Sequence, residues 1–307
     1  MVWYWVAGIV LLVLAVALLE LLFPATAARL ALRLERRRNG LALREKTVGD
    51  VTIRYLEGGR GDTLVLIHGF GADKDNFVRV AGPLTRHFHV VVPDLPGFGD
   101  STRLPDAPYR FADQARRLHD VLHGLGLQRF HIGGSSMGGA IAAVYGALYP
   151  QDVISRWLLA PAGVDGASDS EVAARYRATG DSLLLPTSAA DFKRVLALAT
   201  EKPPFLTPSI KRVLGERAVK DTALHTRVFE EIANDTPINE LMRTSTAPTL
   251  IVWGDRDRVL DVSGAAILRD ALPQAELITM PGIGHLPMVE APRQCATDFI
   301  DYVKRLK

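Results

Sequence analysis

The segment Phe130–Pro150, FHIGGSSMGGAIAAVYGALYP, decides the fold because an apolar strand, a tight turn and an apolar helix follow one another within it. Its turn Gly134–Gly138 has the pattern G-x-S-x-G, with Ser136 at the centre. This spacing is typical of a strained strand-to-helix turn that exposes a serine hydroxyl above a parallel sheet. The glycines let strand and helix pack closely, and the amide of Met137 then points at a substrate oxygen. We therefore predict Ser136 as a nucleophile and Met137 as an oxyanion-hole residue.

Short apolar strands alternate with helical segments along most of the chain. This alternation predicts an α/β fold with a mostly parallel, eight-stranded sheet that helices cover on both faces. Val51–Leu56 alternates in polarity, so we expect an antiparallel strand there at the sheet edge. The other predicted strands are Thr63–Ile67, His89–Val92, Phe130–Ile132, Trp157–Leu159, Thr249–Val252 and Glu276–Thr279.

Residues 165–245 break this rhythm, since they contain several helical patterns, five prolines and no clear strand. We predict that they form a helical cap inserted into a core made of residues 47–164 and 246–307. Apolar side chains of the cap either line a tunnel for a long acyl chain or only bury the cap against the core. The candidate lining residues are Leu183, Leu184, Leu185, Leu196 and Phe205.

Two other loops supply what a serine nucleophile needs. His68–Gly71, HGFG, follows a predicted strand, and the amide of Phe70 is the second candidate oxyanion donor. Gly282–His285, GIGH, follows another strand and provides His285 as the candidate general base. A serine hydroxyl attacks poorly without such a base and a carboxylate that orients it.

The turn Trp253–Asp257, WGDRD, contains two candidates for that carboxylate. The chain order serine, acid, histidine is typical of this arrangement, and the turn follows the carboxyl end of a strand, where open α/β sheets place their sites. We predict Asp257 as the orienting acid and keep Asp255 as the alternative. The other member of the pair is expected to stabilise the turn.

The N-terminus carries no charge from Val2 to Leu19. About twenty apolar residues span a bilayer, and the Trp3–Trp5 cluster suits a membrane interface. We predict a retained transmembrane anchor over residues 1–24. A cleaved signal peptide is the alternative, because Ala25–Ala27 resembles a cleavage site, but the segment before the apolar run has no Lys or Arg.

Positive charge is concentrated directly after this anchor. Seven basic residues face only three acidic ones through residue 46, whereas the remaining chain is slightly negative. We predict a basic amphipathic helix over residues 25–46 that lies on an anionic lipid surface. The positive-inside rule favours a single-pass protein of the cytoplasmic (inner) membrane with its folded domain in the cytoplasm.

Composition excludes several other classes of protein. Hydrophobic residues make up 48% of the 307, which excludes a disordered chain, and a formal net charge of +2 gives no nucleic-acid footprint. The single cysteine, Cys295, excludes a disulfide framework and a Cys-rich metal site. His119 and His123 have the spacing of a metal pair, but no third ligand is evident in the sequence, so we predict an ordinary helix face. We expect no metal, no organic cofactor and no nucleic-acid partner.

Three segments carry a resemblance to a known family: Ala160–Gly163, Leu185–Ser188 and Trp253–Ala265, WGDRDRVLDVSGA. With the turn around Ser136 they resemble the α/β-hydrolase superfamily and, within it, the membrane-anchored monoacylglycerol lipases. The chain is also similar to bacterial membrane-anchored lipases and phospholipases A. The resemblance implies a homodimer and, from some relatives, a periplasmic catalytic domain as the alternative to a cytoplasmic one.

The same resemblance implies the roles of five site residues. Ser136, Asp257 and His285 match the catalytic positions of the family, and Phe70 and Met137 match its oxyanion residues.

The expected function is a serine carboxylic-ester hydrolase that releases fatty acid from acylglycerols or glycerophospholipids. Two alternatives remain open at this point. One is a serine hydrolase that breaks a C–C bond in aromatic ring-cleavage products. The other is a catalytically silent membrane scaffold that binds lipid.

Overall fold

A computed structural model describes residues 1–243 and 245–307, and these form one eight-stranded sheet in the order β1-β2-β4-β3-β5-β6-β7-β8. β1 and β2 are antiparallel to their neighbours, and the other pairs are parallel. This confirms the predicted fold class. The strands are β1 Ala42–Val48, β2 Val51–Gly59, β3 Thr63–Ile67, β4 His89–Pro93, β5 Phe130–Ser135, β6 Val153–Leu159, β7 Thr249–Gly254 and β8 Glu276–Met280.

The predicted juxtamembrane helix over residues 25–46 is wrong in its second half. The helix ends at Arg38, Gly40 has a φ of +74°, and Ala42–Val48 forms the edge strand β1. Glycine adopts this left-handed backbone without the Cβ clash that other residues meet, so Gly40 can redirect the chain out of the helix. β1 then pairs with β2 through a two-residue turn, and β2 lies one position inside the edge where we expected it. β1 is exposed almost throughout, which explains why its hydrophobic pattern is weak.

Helices cover both faces of the sheet. One face packs on α3 (Val78–Leu84) and α13 (Pro292–Arg305), where Phe299 stacks on Trp157 of β6 with ring centroids 4.5 Å apart. The other face packs on α4 (Phe111–Gly124), α5 (Met137–Leu148) and α11 (Ser263–Ala271). Because the central strands are buried on both faces, they read as continuous apolar runs in the sequence.

The segment predicted as a cap lies between β6 and β7. Residue 244, within the predicted range 165–245, lies outside the described residues. The segment's described helices are α6 Glu171–Thr179, α7 Asp191–Ala199, α8 Pro208–Lys220, α9 Thr222–Ala233 and α10 Ile238–Leu241. The short helix α12, Pro287–Glu290, follows β8.

The N-terminal region consists of two helices, α1 (Val2–Leu22) and α2 (Pro24–Arg38). Among the described residues, α1 is the one helix long and apolar enough to cross a membrane, with a mean hydropathy of 2.7 and no buried residue. At its end, the carboxylate of Glu20 accepts hydrogen bonds from the amide and hydroxyl of Ser209, at 3.0 and 2.9 Å. Ser209 belongs to the first turn of α8, so these hydrogen bonds join α8 directly to α1.

Candidate active site

The turn between β5 and α5 holds Ser136 in a strained backbone conformation. Its φ is +56°, which is uncommon for a residue other than glycine, and its amide donates to the carbonyl of Leu159, 3.0 Å away. A Cβ at Gly134 would overlap the backbone of Gly138, and a Cβ at Gly138 would overlap the carbonyl of Ile67. Both glycines of the motif are therefore required by close backbone contacts. Met137 begins α5, where backbone amides have no partner within the helix and remain free to face an oxyanion.

The candidate base and acid form a buried pair. Nδ1 of His285 lies 2.7 Å from Oδ2 of Asp257, and the side chain of Asp257 is completely buried. The other carboxylate oxygen accepts from the amides of Val259 and Leu260, at 2.8 and 2.9 Å. Because Nδ1 must carry a proton to donate to the carboxylate, the lone pair of the neutral ring is at Nε2. The pair is thus oriented for proton acceptance at Nε2.

The two candidate acids have different partners. Oδ1 of Asp255 accepts from the amide of Gly282 at 2.7 Å, which ties the turn after β7 to the loop after β8. Asp257, and not Asp255, contacts His285. The structure therefore places Asp257, the predicted orienting acid, beside His285, and it places Asp255 between the two loops.

The loop HGFG is held by a neutral histidine. Nδ1 of His68 donates to the carbonyl of Gly69 at 2.8 Å, and Nε2 accepts from the amide of Leu95 at 3.0 Å. Burial lowers the pKa of His68, so both hydrogen bonds keep this sense near neutral pH. A Cβ at Gly69 would lie 3.2 Å from Cβ of Ser136, which places the loop of Phe70 directly beside the serine.

A buried ion pair lies next to this loop, because Lys74 follows the loop in the chain and Asp94 directly precedes Leu95. Nζ of Lys74 lies 2.7 Å from Oδ2 of Asp94, and both side chains are completely buried. Burial alone would lower the pKa of Lys74, but the nearby carboxylates, with Asp94 the strongest, outweigh it and raise the pKa. A Cβ at Gly99 would overlap the carboxylate of Asp94, which accounts for the glycine in the segment DLPGFG. Asp94 therefore stabilises this segment through its ion pair with Lys74.

One positioning residue was missed in the sequence. The carboxylate of Glu290 in α12 accepts from the amide of Gly284, at 3.0 Å, and from the amides of Glu201 and Lys202, at 2.9 and 2.8 Å. The amide of His285 also donates to the carbonyl of Ala199, 3.1 Å away. The loop of the candidate base is thus joined to the cap. No local motif identifies Glu290, because its partners are backbone amides distant in the sequence.

Ser136 and His285 line one cavity of about 230 Å³. Of the five predicted lining residues, the structure places Leu184 and Leu196 in its wall. Most of the other lining side chains are apolar, and they come from the cap, from α2 and from loops of the core. The lining outside the two catalytic candidates includes Leu32, Phe192, Val195, Leu206, Ile210, Leu214 and Val259.

The structure does not place the other three predicted lining residues in the wall of this cavity. Leu183 packs in a small cluster between the cap and the core, and Leu185 is half-buried away from the cavity. Phe205 is 82% exposed, and its carbonyl accepts a hydrogen bond from Nη2 of Arg79 at 2.9 Å. Leu32 was missed, since α2 was expected only to lie on lipid.

Comparisons with known proteins show which family the chain belongs to and which proteins it is similar to. Residues 62–292 match the family described as alpha/beta hydrolase fold. Lipase 3 of Moraxella sp. (strain TA144) is 38% identical over 250 residues, which cover 80% of this chain and 79% of that protein. Monoacylglycerol lipase ABHD6 of Mus musculus is 30% identical over 297 residues, 92% of this chain and 88% of that protein. A crystal structure of a membrane phospholipase A superposes with a TM-score of 0.90 at 39% identity, covering 100% of this chain and 99% of that one.

Proposed function

The chain belongs to the alpha/beta hydrolase fold family and is a lipid ester hydrolase, and we propose that it releases fatty acid from acylglycerols or glycerophospholipids through an acyl-enzyme on Ser136. The observation that carries the proposal is the apolar cavity whose wall contains both Ser136 and the His285 of the buried His285–Asp257 pair. An apolar cavity beside a nucleophile suits an acyl chain better than a polar substrate.

The proposed reaction uses this chain's own residues throughout. Nε2 of His285 takes the proton of Ser136 as its Oγ attacks the ester carbonyl, while Asp257 keeps the ring in the required tautomer. The amides of Phe70 and Met137 donate to the oxyanion of the tetrahedral intermediate. His285 then gives the proton to the leaving alcohol. In the second half, His285 activates a water that attacks the acyl-enzyme, and the fatty acid leaves.

The anchor supports a lipid substrate presented by a membrane. α2, which follows the apolar helix α1, contributes Leu32 to the cavity wall, so part of this wall belongs to the helix next to α1. The arginines of α2 favour contact with anionic lipid. We propose a single-pass arrangement in the cytoplasmic (inner) membrane, with the folded domain cytoplasmic by the charge rule and periplasmic as the alternative. α1 has no buried residue, so its apolar surface is available to contact either lipid or a second copy of the chain in a homodimer.

Replacing Ser136 tests the proposal. Full-length protein in detergent is offered monoacylglycerols, lysophospholipids and diacyl phospholipids side by side, and fatty-acid release is measured. Ser136→Ala should lower the rate on the preferred substrate by at least about 10⁴-fold. Ser135→Ala is the matched control, since it removes a neighbouring buried hydroxyl that has no hydrogen-bond partner among the described residues.

The outcomes separate the proposed activities. Preference for monoacylglycerols assigns acylglycerol turnover, and release from either class of phospholipid assigns a phospholipase. Undiminished hydrolysis by Ser136→Ala would exclude the proposed nucleophile.

A further inference from the structure

A second constellation of histidines and a carboxylate lies at the opposite end of the sheet from Ser136. Asp152 precedes β6, whereas Ser136 follows β5, and these two strands are parallel neighbours. His119 and His123 extend toward Asp152 from successive turns of α4. This cluster has no part in the proposed hydrolysis, because it lies at the opposite ends of these strands from Ser136.

The three side chains converge on a small volume. Oδ2 of Asp152 lies 3.2 Å from Nδ1 of His119 and 3.0 Å from Nε2 of His123. One ligand atom from each residue lies within 4.8 Å of the others. A tetrahedral zinc ion with ligands at about 2.1 Å needs donor atoms roughly 3.4 Å apart. The two distances from the carboxylate are therefore close to those of a metal site, and the third, between the two imidazole nitrogens, is at most 4.8 Å.

The surrounding side chains fix the orientation of two of these groups. The hydroxyl of Tyr145 donates to Oδ2 of Asp152 at 2.8 Å. The ring of Tyr149 stacks on His119, with centroids 3.8 Å apart and planes 4° from parallel. Hydrogen-bonded carboxylates and oriented imidazoles are the arrangement that tunes metal ligands in proteins.

The three side chains of the cluster differ in their exposure to solvent. The side chain of Asp152 is 5% exposed, that of His119 21% and that of His123 39%. A cation can thus approach from the solvent side past His123 and meet a desolvated carboxylate beneath it. Two imidazoles and one carboxylate suit a divalent transition metal and not a hard ion such as Mg²⁺.

We propose that His119, His123 and Asp152 bind one divalent transition-metal ion of the Zn²⁺ type, with a fourth coordination position open to solvent. The ion would join α4 to the start of β6 across the end of α5, and so stabilise the end of the sheet opposite the cavity. The sequence does not disclose this site because Asp152 lies 29 residues beyond His123 and in no motif with it.

Metal titration of the full-length, detergent-solubilised protein tests the site. After treatment with a chelator, Zn²⁺ is titrated in competition with a fluorescent zinc indicator, and the midpoint of thermal unfolding is followed. We expect one Zn²⁺ per chain and a higher midpoint with the metal. Co²⁺ in place of Zn²⁺ should give the visible absorption of a four-coordinate site.

Two variants assign the binding to these residues. His123→Gln should weaken Zn²⁺ binding by at least about 100-fold and remove the Co²⁺ absorption, and it should leave ester hydrolysis intact as a check of folding. Tyr145→Phe keeps all three ligands and should weaken binding roughly tenfold. His87→Gln is the matched control, because His87 is an exposed histidine outside the cluster.

Either of two results would overturn the proposal. One is the lack of Zn²⁺ binding by the unaltered protein. The other is equal affinity in the unaltered protein and folded His123→Gln, which would place the bound ion elsewhere. Should His123→Gln not fold, unchanged affinity in Tyr145→Phe together with an unchanged Co²⁺ spectrum would count against the site.

Discussion

The loops that carry Ser136 and the His285–Asp257 pair are fixed differently from the cap and α2. Backbone amides, glycine contacts and fully buried side chains fix the loops, as when both oxygens of Asp257 are occupied. The cap and α2 also contact the core through apolar packing and through ion pairs between side chains, such as Arg36 with Asp75 and the cap's Arg217 with Asp73 and Asp100. Catalytic groups that are held in their productive geometry determine the rate of the chemical step, and we expect the apolar wall of the cavity to determine which acyl chain is accepted. Substitutions in the two regions should therefore affect different quantities.

The largest effect is expected where the loops orient the candidate base. Asp257→Asn keeps the size of the side chain but removes the charge that holds Nδ1–H of His285. We expect kcat to fall by about 10³- to 10⁴-fold, because the ring then adopts the wrong tautomer. Steady-state kinetics on one soluble short-chain ester measures this without dependence on the membrane.

Asp255→Asn is the matched control for that experiment. Its carboxylate accepts only from the amide of Gly282 among the hydrogen bonds described above, and an amide oxygen can replace it. We expect less than about a tenfold change in kcat. A larger loss in Asp255→Asn than in Asp257→Asn would reverse the assignment of the orienting acid.

A smaller effect is expected where α2 joins the core. Nε and Nη2 of Arg36 lie 2.6 and 2.5 Å from the two oxygens of Asp75, and both side chains are largely buried. Arg36→Gln leaves the carboxylate without its charged partner, which costs about 3 kcal/mol. The midpoint of thermal unfolding in detergent should fall by roughly 6–12 °C, and hydrolysis of long-chain esters should fall more than that of short ones.

The same helix provides the control for this variant. Arg37 is exposed and has no ion pair among the described residues, so Arg37→Gln removes the same charge without an unpaired partner. Equal losses of stability in the two variants would mean that the Arg36–Asp75 pair does not attach α2.

The contrast between the two regions also explains what the sequence could predict. The strand bounds near Ser136 and the turn around Asp257 follow from glycine spacing and short apolar runs, which are local patterns. The cavity wall depends on which way each helix of the cap faces, and neighbouring leucines separate accordingly: Leu184 lines the cavity and Leu183 does not. Local sequence does not encode that orientation, because long-range contacts determine it.

The same reason covers the other missed features. Glu290 acts on backbone amides of the cap, and Asp152 meets α4 only after the chain has folded. Gly40 ends the helix α2 early, although the basic pattern continues into β1. For Glu290 and Asp152, the residues that they contact lie far away in the sequence. For β1, the strand is exposed and therefore has no alternating hydrophobic pattern.

The smallest effect is expected from narrowing the cavity within its adaptable wall. Leu196 lies on α7 and lines the cavity, and Leu196→Trp adds volume where the proposed acyl chain passes. Because the cap contacts the core through side chains, we expect it to shift and accommodate part of the added ring. The ratio of kcat/KM for long esters to that for short esters should therefore fall about tenfold, which corresponds to about 1.4 kcal/mol. The absolute rate on the shortest ester should stay nearly unchanged. Lys193→Trp puts the same ring on the exposed face of α7 and should leave the ratio as it was. If both variants lowered all substrates equally, the cavity would not select acyl length, and α7 would act only in holding the cap on the core.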